Sequence, residues 1–242
     1  MVYTAIQTRV ASPKKLTQLE FLINIYLYFL KQKHRLELVE MRSYKELKIA
    51  NAFWQNASIK RFGYSWVRQT KDLIHPKGLV ACFCLKKRQR IVGTICLFDP
   101  LLIESFTAHV FEDTPLHYDK AKTFELGRLI ISQEAQAGDS MNYLILLHAC
   151  YKRSRAHRRT QWLAAAHKRG LQQLKFLGAE ATVLADRARL SQKDNFQSYY
   201  FSAFQMEGSP NNYRAFLVNC DQQAMQNVAK KYLRKKWKRM RK

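Results

Sequence analysis

Two apolar runs separated by five mostly basic residues constrain this 242-residue chain more than anything else in it. Leu79–Leu85 (LVACFCL) and Ile91–Phe98 (IVGTICLF) are each strand-like in length and composition, and KKRQR lies between them. They predict a β-hairpin with a basic turn, and Asp99-Pro100 stops its second strand. Such a hairpin needs further strands or helices against it to be stable in water.

The rest of the chain supplies them. Residues 16–33 predict an apolar helix, and Leu36–Met41 a short strand. Ser43 and Glu46 form a capping box that opens a helix through about Arg61. Leu47, Ala50, Trp54 and Ala57 recur at helical spacing there, with Phe53 widening the apolar face and Gly63 ending the helix. Residues 101–122 predict a loop with a short helix, and Phe124–Ile131 (FELGRLII) the next strand. The segment GDS at 138–140 caps a helix running to about His157. Thr160–Ala166 (TQWLAAA) fits either a continuation of that helix or a strand. Lys168–Leu177 reads as a helix with Gly178 at its C-terminal cap, and Ala179–Ala185 and Tyr213–Asn219 as strands. Asp221 then caps a final amphipathic helix, with Met225, Val228, Ala229 and Tyr232 on one face. This alternation predicts a mixed sheet flanked by helices, in one α/β or α+β domain or two small ones. A hydrophobic content of 47% and an aromatic content of 12% exclude intrinsic disorder, and 8 Gly and 5 Pro exclude collagen-like and low-complexity classes.

Charge divides the chain further. The formal charge is +24, but two acid-free zones, 152–175 and 230–242, supply 17 of it and leave +7 on the other 205 residues. Such zones attract a polyanion: nucleic acid, anionic lipid or an acidic protein. Arg153, Arg155, Arg158 and Arg159 in the first zone and Lys235, Lys236 and Arg239 in the second are the candidate docking or phosphate contacts. No helix-turn-helix, zinc-finger or RRM signature accompanies them, although Trp237 is placed to stack on bases. The five cysteines, Cys82, Cys84, Cys96, Cys150 and Cys220, form no CxxC pair and match no zinc spacing, so they read as buried free thiols in a reducing compartment. Phe21–Leu30 (FLINIYLYFL) is intensely apolar but too short to span a bilayer; it suits a core helix or a docking surface, and peripheral membrane contact with the basic tail is the third reading. No secretory signal is visible, and a cytoplasmic location is expected.

The chemistry-bearing signal is FELGRLII. Glu125, Gly127 and Arg128 are unusual neighbours inside a strand. Strict alternation puts Glu125 and Arg128 on opposite faces, whereas a bulge at Gly127 brings them together. Held in a sheet cleft, Glu125 suits general-base chemistry; paired with Arg128 it becomes an orienting group or a purely structural ion pair.

The order helix, hairpin ending in Val92-Gly93-Thr94, variable loop, then FELGRLIIS resembles the GNAT acyltransferase superfamily. It is similar in particular to the acyl-homoserine-lactone synthases and N-acyl amino acid synthases. Glu125, Arg128 and Leu129 match the family's Glu-x-Ser-Arg-Φ strand, with Gly127 at the Ser position and Cys96 where an Arg is usual. The resemblance covers roughly 43–185 and makes Thr160–Ala166 a strand. It implies a GNAT-like, mostly antiparallel central sheet over 36–220, with an added N-terminal apolar helix (1–35) and a basic C-terminal helix (221–242). The coenzyme A loop of most GNAT enzymes is not matched by Gln133–Ser140, where Glu134 and Asp139 would repel a pyrophosphate. The homoserine-lactone branch lacks that loop too and draws on acyl carrier protein, an acidic partner that suits a basic surface. By resemblance, an acyl thioester of acyl carrier protein, or of CoA, is the co-substrate, with no tightly bound cofactor and no metal. Glu125 deprotonates an amine, Arg128 orients Glu125 or binds an acceptor carboxylate, and Tyr200 or its neighbour Tyr199 protonates the leaving thiolate, the alternative for the two being an aromatic core pair. Gly127, Leu129, Ile130 and Ile131 position the donor. Phe106, Val110 and Phe111 fit an acyl tunnel or plain core. The alternative is a nucleic-acid-binding protein, of DNA or RNA, on the same scaffold with catalysis reduced or lost.

Overall fold

The computed structural model describes residues 18–62, 78–103, 105, 107, 108, 111, 115–132, 142–167, 172, 174, 175, 179–185, 213–221, 224 and 227. Among them, seven strands form one sheet in the order β1-β2-β3-β4-β5-β7-β6. They are β1 (Leu36–Met41), β2 (Leu79–Lys87), β3 (Arg90–Phe98), β4 (Thr123–Ile131), β5 (Gln161–His167), β6 (Ala181–Ala185) and β7 (Tyr213–Asn219). Every neighbouring pair is antiparallel except β4 and β5. Helices α1 (Gln18–His34), α2 (Tyr44–Phe62) and α3 (Asn142–Ala156) flank the sheet. The mixed, mostly antiparallel architecture expected from the sequence is the one observed.

The hairpin forms as read, but its turn is tighter than KKRQR suggests. Lys87 pairs with Arg90, so the strands absorb the outer basic residues and only Arg88 and Gln89 make the reversal. Both take positive φ, 49° and 64°, which a two-residue turn between right-twisted strands requires. The capping box also forms. The Ser43 amide donates to the Glu46 carboxylate at 2.9 Å, and the Glu46 amide donates back to Ser43 Oγ at 3.3 Å. Asp221 caps as expected, accepting from the Ala224 amide at 2.7 Å.

Alternation along β2 divides the core in two. Ala81, Phe83 and Leu85 face α1 and α3, packing with Leu27, Leu30, Leu146 and Cys150. Cys82 and Cys84 face α2 and pack with Met41, Leu47, Ala50, Cys96 and Phe98. All five cysteines are free and buried, in keeping with their apolar settings. On α2, Leu47 and Ala50 are buried as expected, but the rest of the stripe differs. Asn51, Gln55 and Ser58 are buried, whereas Phe53, Trp54 and Ala57 are only half-buried. The helix is rolled so that a polar row faces the sheet, a choice apolar periodicity does not reveal. No helix among the described residues is long and apolar enough to cross a membrane.

Helix α3 runs back from the end of β4 to the start of β5, and the junction it reaches is tightly bound. Thr160 donates its amide to the Lys122 carbonyl at 2.9 Å, and Trp162 Nε1 donates to the buried Ser154 hydroxyl at 2.8 Å. Arg159 donates to Asp99 at 2.9 Å and to the carbonyls of Lys120 and Ala121, and its guanidinium lies over the Phe124 ring. The Arg159 and Asp99 side chains are only 12% and 14% exposed, so breaking the pair strands a buried charge. Arg159→Ala is expected to destabilise the fold by about 3 kcal/mol in urea unfolding, and Arg158→Ala at the exposed neighbouring position by no more than about 0.5 kcal/mol. Equal effects would remove Arg159 as the tie.

His148 on α3 supplies a second check. Burial first, then Lys152 and Lys31, hold its pKa down at about 4. The unfolded chain therefore takes up a proton first as pH falls, so stability is complete above about pH 6.5 and declines toward pH 4. Between pH 7.5 and 5.0 the expected loss from this group is about 2 kcal/mol. Urea unfolding of His148→Gln, compared at the two pH values, should show a correspondingly smaller loss.

Candidate active site at the β4 bulge

The site is built where the sheet comes apart. β4 and β5 pair at Thr123–Gln161, Phe124–Trp162 and Glu125–Leu163, and the ladder stops there although β4 continues to Ile131 and β5 to His167. Each strand keeps its other partner along this stretch, β3 for β4 and β7 for β5. The pair therefore forms a wedge whose apex is Glu125.

A bulge places the next functional side chain. Thr94 lies opposite Ile130 and Cys96 opposite Gly127, so Arg128 and Leu129 together face Ile95. Arg128 takes φ of 52°, the left-handed conformation that absorbs the extra residue. Glu125 and Gly127 share the α2 face with their cross-strand partners Phe98 and Cys96. The bulge returns Arg128 to that face, and its guanidinium lies 5.4 Å from the Trp54 ring of α2 and 5.6 Å from the Phe98 ring. Regular alternation would have turned it toward α3.

Glu125 is 2% exposed. Its Oε1 accepts from the Thr107 amide at 2.6 Å and from Thr107 Oγ1 at 2.7 Å. Thr107 starts a short turn in which Ser105 Oγ accepts from the Ala108 amide at 3.0 Å. A little further on, Phe111 is fully buried against Ala185 and Ala215, with Ala165 beside them. The connection between β3 and β4 thus packs over the second half of the sheet while α2 covers the first, and Glu125 lies between. Tyr118 belongs to the same surroundings. Its phenol is raised above the usual tyrosine range by burial, opposed by the Ser105 hydroxyl and reinforced by the Glu125 charge.

Trp54, Thr107 and Tyr118 are site residues that the motif reading missed, because each lies on a different element from FELGRLII. The only sequence signals for them were the aromatic position on α2 and the hydroxyl-rich variable loop. Phe111 is core, while Phe106, Val110, Tyr199 and Tyr200 lie outside the described residues. Gly127, Ile130 and Ile131 lie along the wedge strand with Leu129, which is 40% exposed. Among the described residues no group of three His, Cys, Asp or Glu side chains is placed to hold a metal.

The candidate docking arginines separate. Arg153 pairs with Glu40 of β1, and Arg159 is held by Asp99, whereas Arg158 is exposed. Arg159 lies at the closed end of the wedge, beside the start of β4 and β5, whereas Arg153 reaches the β1 edge of the sheet. Lys235, Lys236 and Arg239 lie outside the described residues.

Gly127, where the resembling families carry Ser, has a steric reason here. A Cβ at this position would sit 2.8 Å from Cε2 of the buried Phe98 ring, which also flanks Arg128. Gly127→Ser is expected to destabilise the protein by about 1–3 kcal/mol in urea unfolding, with a smaller increment when Phe98 is already Leu. Additive effects of the two substitutions would show that the contact is not limiting.

No protein-family model matches the sequence, and no curated protein matches it. Solved structures do match the fold. The acyl-homoserine-lactone (AHL) synthase LasI aligns with a TM-score of 0.55 at 10% identity, over 80% of this chain and 93% of its own. TofI, in a ternary complex with an inhibitor and MTA, aligns with a TM-score of 0.55 at 8% identity, over 80% of this chain and 95% of its own. The CoA-dependent acyl-homoserine lactone synthase BjaI, with MTA, gives 0.52 at 13% identity, over 76% of this chain and 80% of its own. This chain therefore shares its fold with these acyl-homoserine-lactone synthase structures.

Proposed function

We propose that the protein is an N-acyltransferase that moves an acyl group from an acyl thioester to an amine, with acyl carrier protein preferred over coenzyme A as the donor. The observation that carries this reading is a buried carboxylate, Glu125, at the apex of a wedge between two strands, with an arginine returned to its face by a bulge. A structural ion pair alone would need neither the interrupted ladder nor the strained backbone at Arg128.

In this mechanism the acyl chain of the donor enters the wedge along β4 beyond Glu125, where Gly127, Leu129, Ile130 and Ile131 line the strand that β5 has left. The amine nitrogen attacks the thioester carbon, the C–N bond forms, and the C–S bond breaks to release a thiolate. Glu125 takes the proton from the nitrogen, its orientation fixed by the two hydrogen bonds from Thr107. Arg128, held by Trp54 and Phe98, orients the acceptor. Tyr118, with Ser105 and Glu125 as neighbours, joins Tyr200 as a candidate to return a proton to the thiolate. The basic balance of the chain suits an acidic carrier.

Thiol release from acyl carrier protein and coenzyme A thioesters, measured against a panel of amines, tests the proposal. Glu125→Gln is expected to lower kcat by about 10²–10⁴-fold while the urea midpoint stays close to that of the parent. Full turnover in the variant would remove Glu125 as the base. Nucleic-acid binding without turnover of any thioester would favour the non-enzymatic scaffold instead.

A further inference from the structure

The direction in which the wedge opens identifies a surface that charge counting along the sequence passes over. The β4–β5 ladder is closed at Thr123 and Gln161 and open toward Ile131 and His167. Ile131 lies opposite Gly93 of β3, and from Gly93 the strand continues past Val92 and Ile91 to Arg90 and the hairpin turn. The turn thus projects three residues beyond the open end of β4, about 10 Å at strand spacing, and lies within two strand separations of it, about 10 Å sideways. On the far side of the hairpin, Lys87 is opposite Leu36, so the junction of α1 with β1 is at the same end.

This end is basic. Lys33 and Arg35 come from the α1–β1 junction, and Lys86, Lys87, Arg88 and Arg90 from the hairpin. All are exposed except Lys86, which is half-buried; Glu37, opposite Lys86, is the acid among them. The turn is also held in a strained form. Arg88 stands at a positive φ where Asn or Gly is the unstrained choice. A purely structural turn has no use for an arginine there, whereas a turn that presents charge does. In the zone at 153–159, by contrast, Arg159 is engaged by Asp99 at the closed end and Arg153 by Glu40 of β1.

We propose that the β2–β3 turn and the α1–β1 junction form the docking surface for an acidic acyl carrier protein, which delivers its phosphopantetheine-linked acyl chain into the open end of the wedge. The proposal rests on the acyl-transfer reading and gives that reading's donor a place to bind. The cations at the open end meet the carrier's acidic surface, and the prosthetic arm spans the distance from this rim to Glu125.

The test is binding of a fluorescently labelled, phosphopantetheine-bearing acyl carrier protein, followed by anisotropy in low salt. The triple variant Lys87→Glu, Arg88→Glu, Arg90→Glu is expected to raise Kd at least tenfold, and Arg158→Glu less than twofold. Binding of the parent protein is expected to weaken as salt rises. An Arg158→Glu effect equal to or greater than that of the triple variant would overturn the proposal, as would a triple variant that binds like the parent. A labelled DNA duplex that binds more tightly than the carrier and is lost in the triple variant would also overturn it. Turnover of a small acyl-pantetheine thioester separates the two readings. If it is absent, the acyl-transfer reading falls and this one with it; if it is present while the triple variant binds carrier normally, only the docking surface falls.

Discussion

Three residue pairs hold this sheet together at its centre. β1–β4 and β5–β7–β6 are each continuous antiparallel units, and between them only Thr123–Gln161, Phe124–Trp162 and Glu125–Leu163 make a ladder. So short a parallel joint is weak by itself. It is reinforced where it is closed: Arg159 clamps the turns around Asp99 and Lys120, Trp162 is fastened to Ser154 of α3, and the Cys220 amide donates to the Thr160 carbonyl at 2.8 Å. Closing one end this firmly is what lets the other stand open.

The polar chemistry collects at the point where pairing stops. A strand that loses its partner midway exposes backbone and side chains that a complete sheet would bury, and Glu125 occupies the last paired position. The carboxylate is held by Thr107 from one side of the opening, while Arg128 is held by Trp54 from the other. The polar row on α2, Asn51, Gln55 and Ser58, extends this character onto the helix that covers the β1–β4 half. One consequence is that Gly127 and Phe98 are matched to each other, since the ring fills the space a side chain at 127 would need.

Charge acquires meaning only once its position on the sheet is known. The basic stretches along the chain differ in kind. The one around 153–159 has two arginines engaged by Glu40 and Asp99, which makes it partly a structural feature. The hairpin turn, already basic in the linear sequence, forms with the α1–β1 junction a basic rim at the open end. A count of Lys and Arg along the chain cannot distinguish these cases, because it records neither which donors are engaged nor which end of a strand faces the opening.

The sequence by itself determined the hairpin, the capping box at Ser43, the cap at Asp221 and six of the seven strands, since hydrophobic runs, turn residues and cap residues act over a few neighbours. Thr160–Ala166 was legible only through resemblance: its periodicity fits helix and strand alike, and pairing with β7 decides between them. Glu125 and Arg128 were legible as odd residues in an apolar strand, and Gly127 as the place for a bulge. Their surroundings were not. Trp54, Thr107 and Tyr118 reach the site from separate elements, and α2 buries Asn51, Gln55 and Ser58 beside the Leu47 and Ala50 that its apolar periodicity marks. Only the tertiary structure decided where the β4–β5 ladder ends, and therefore where the site opens and which basic residues border it. That outcome depends on how two half-sheets twist and pack against their helices, a balance of long-range contacts that no local pattern encodes.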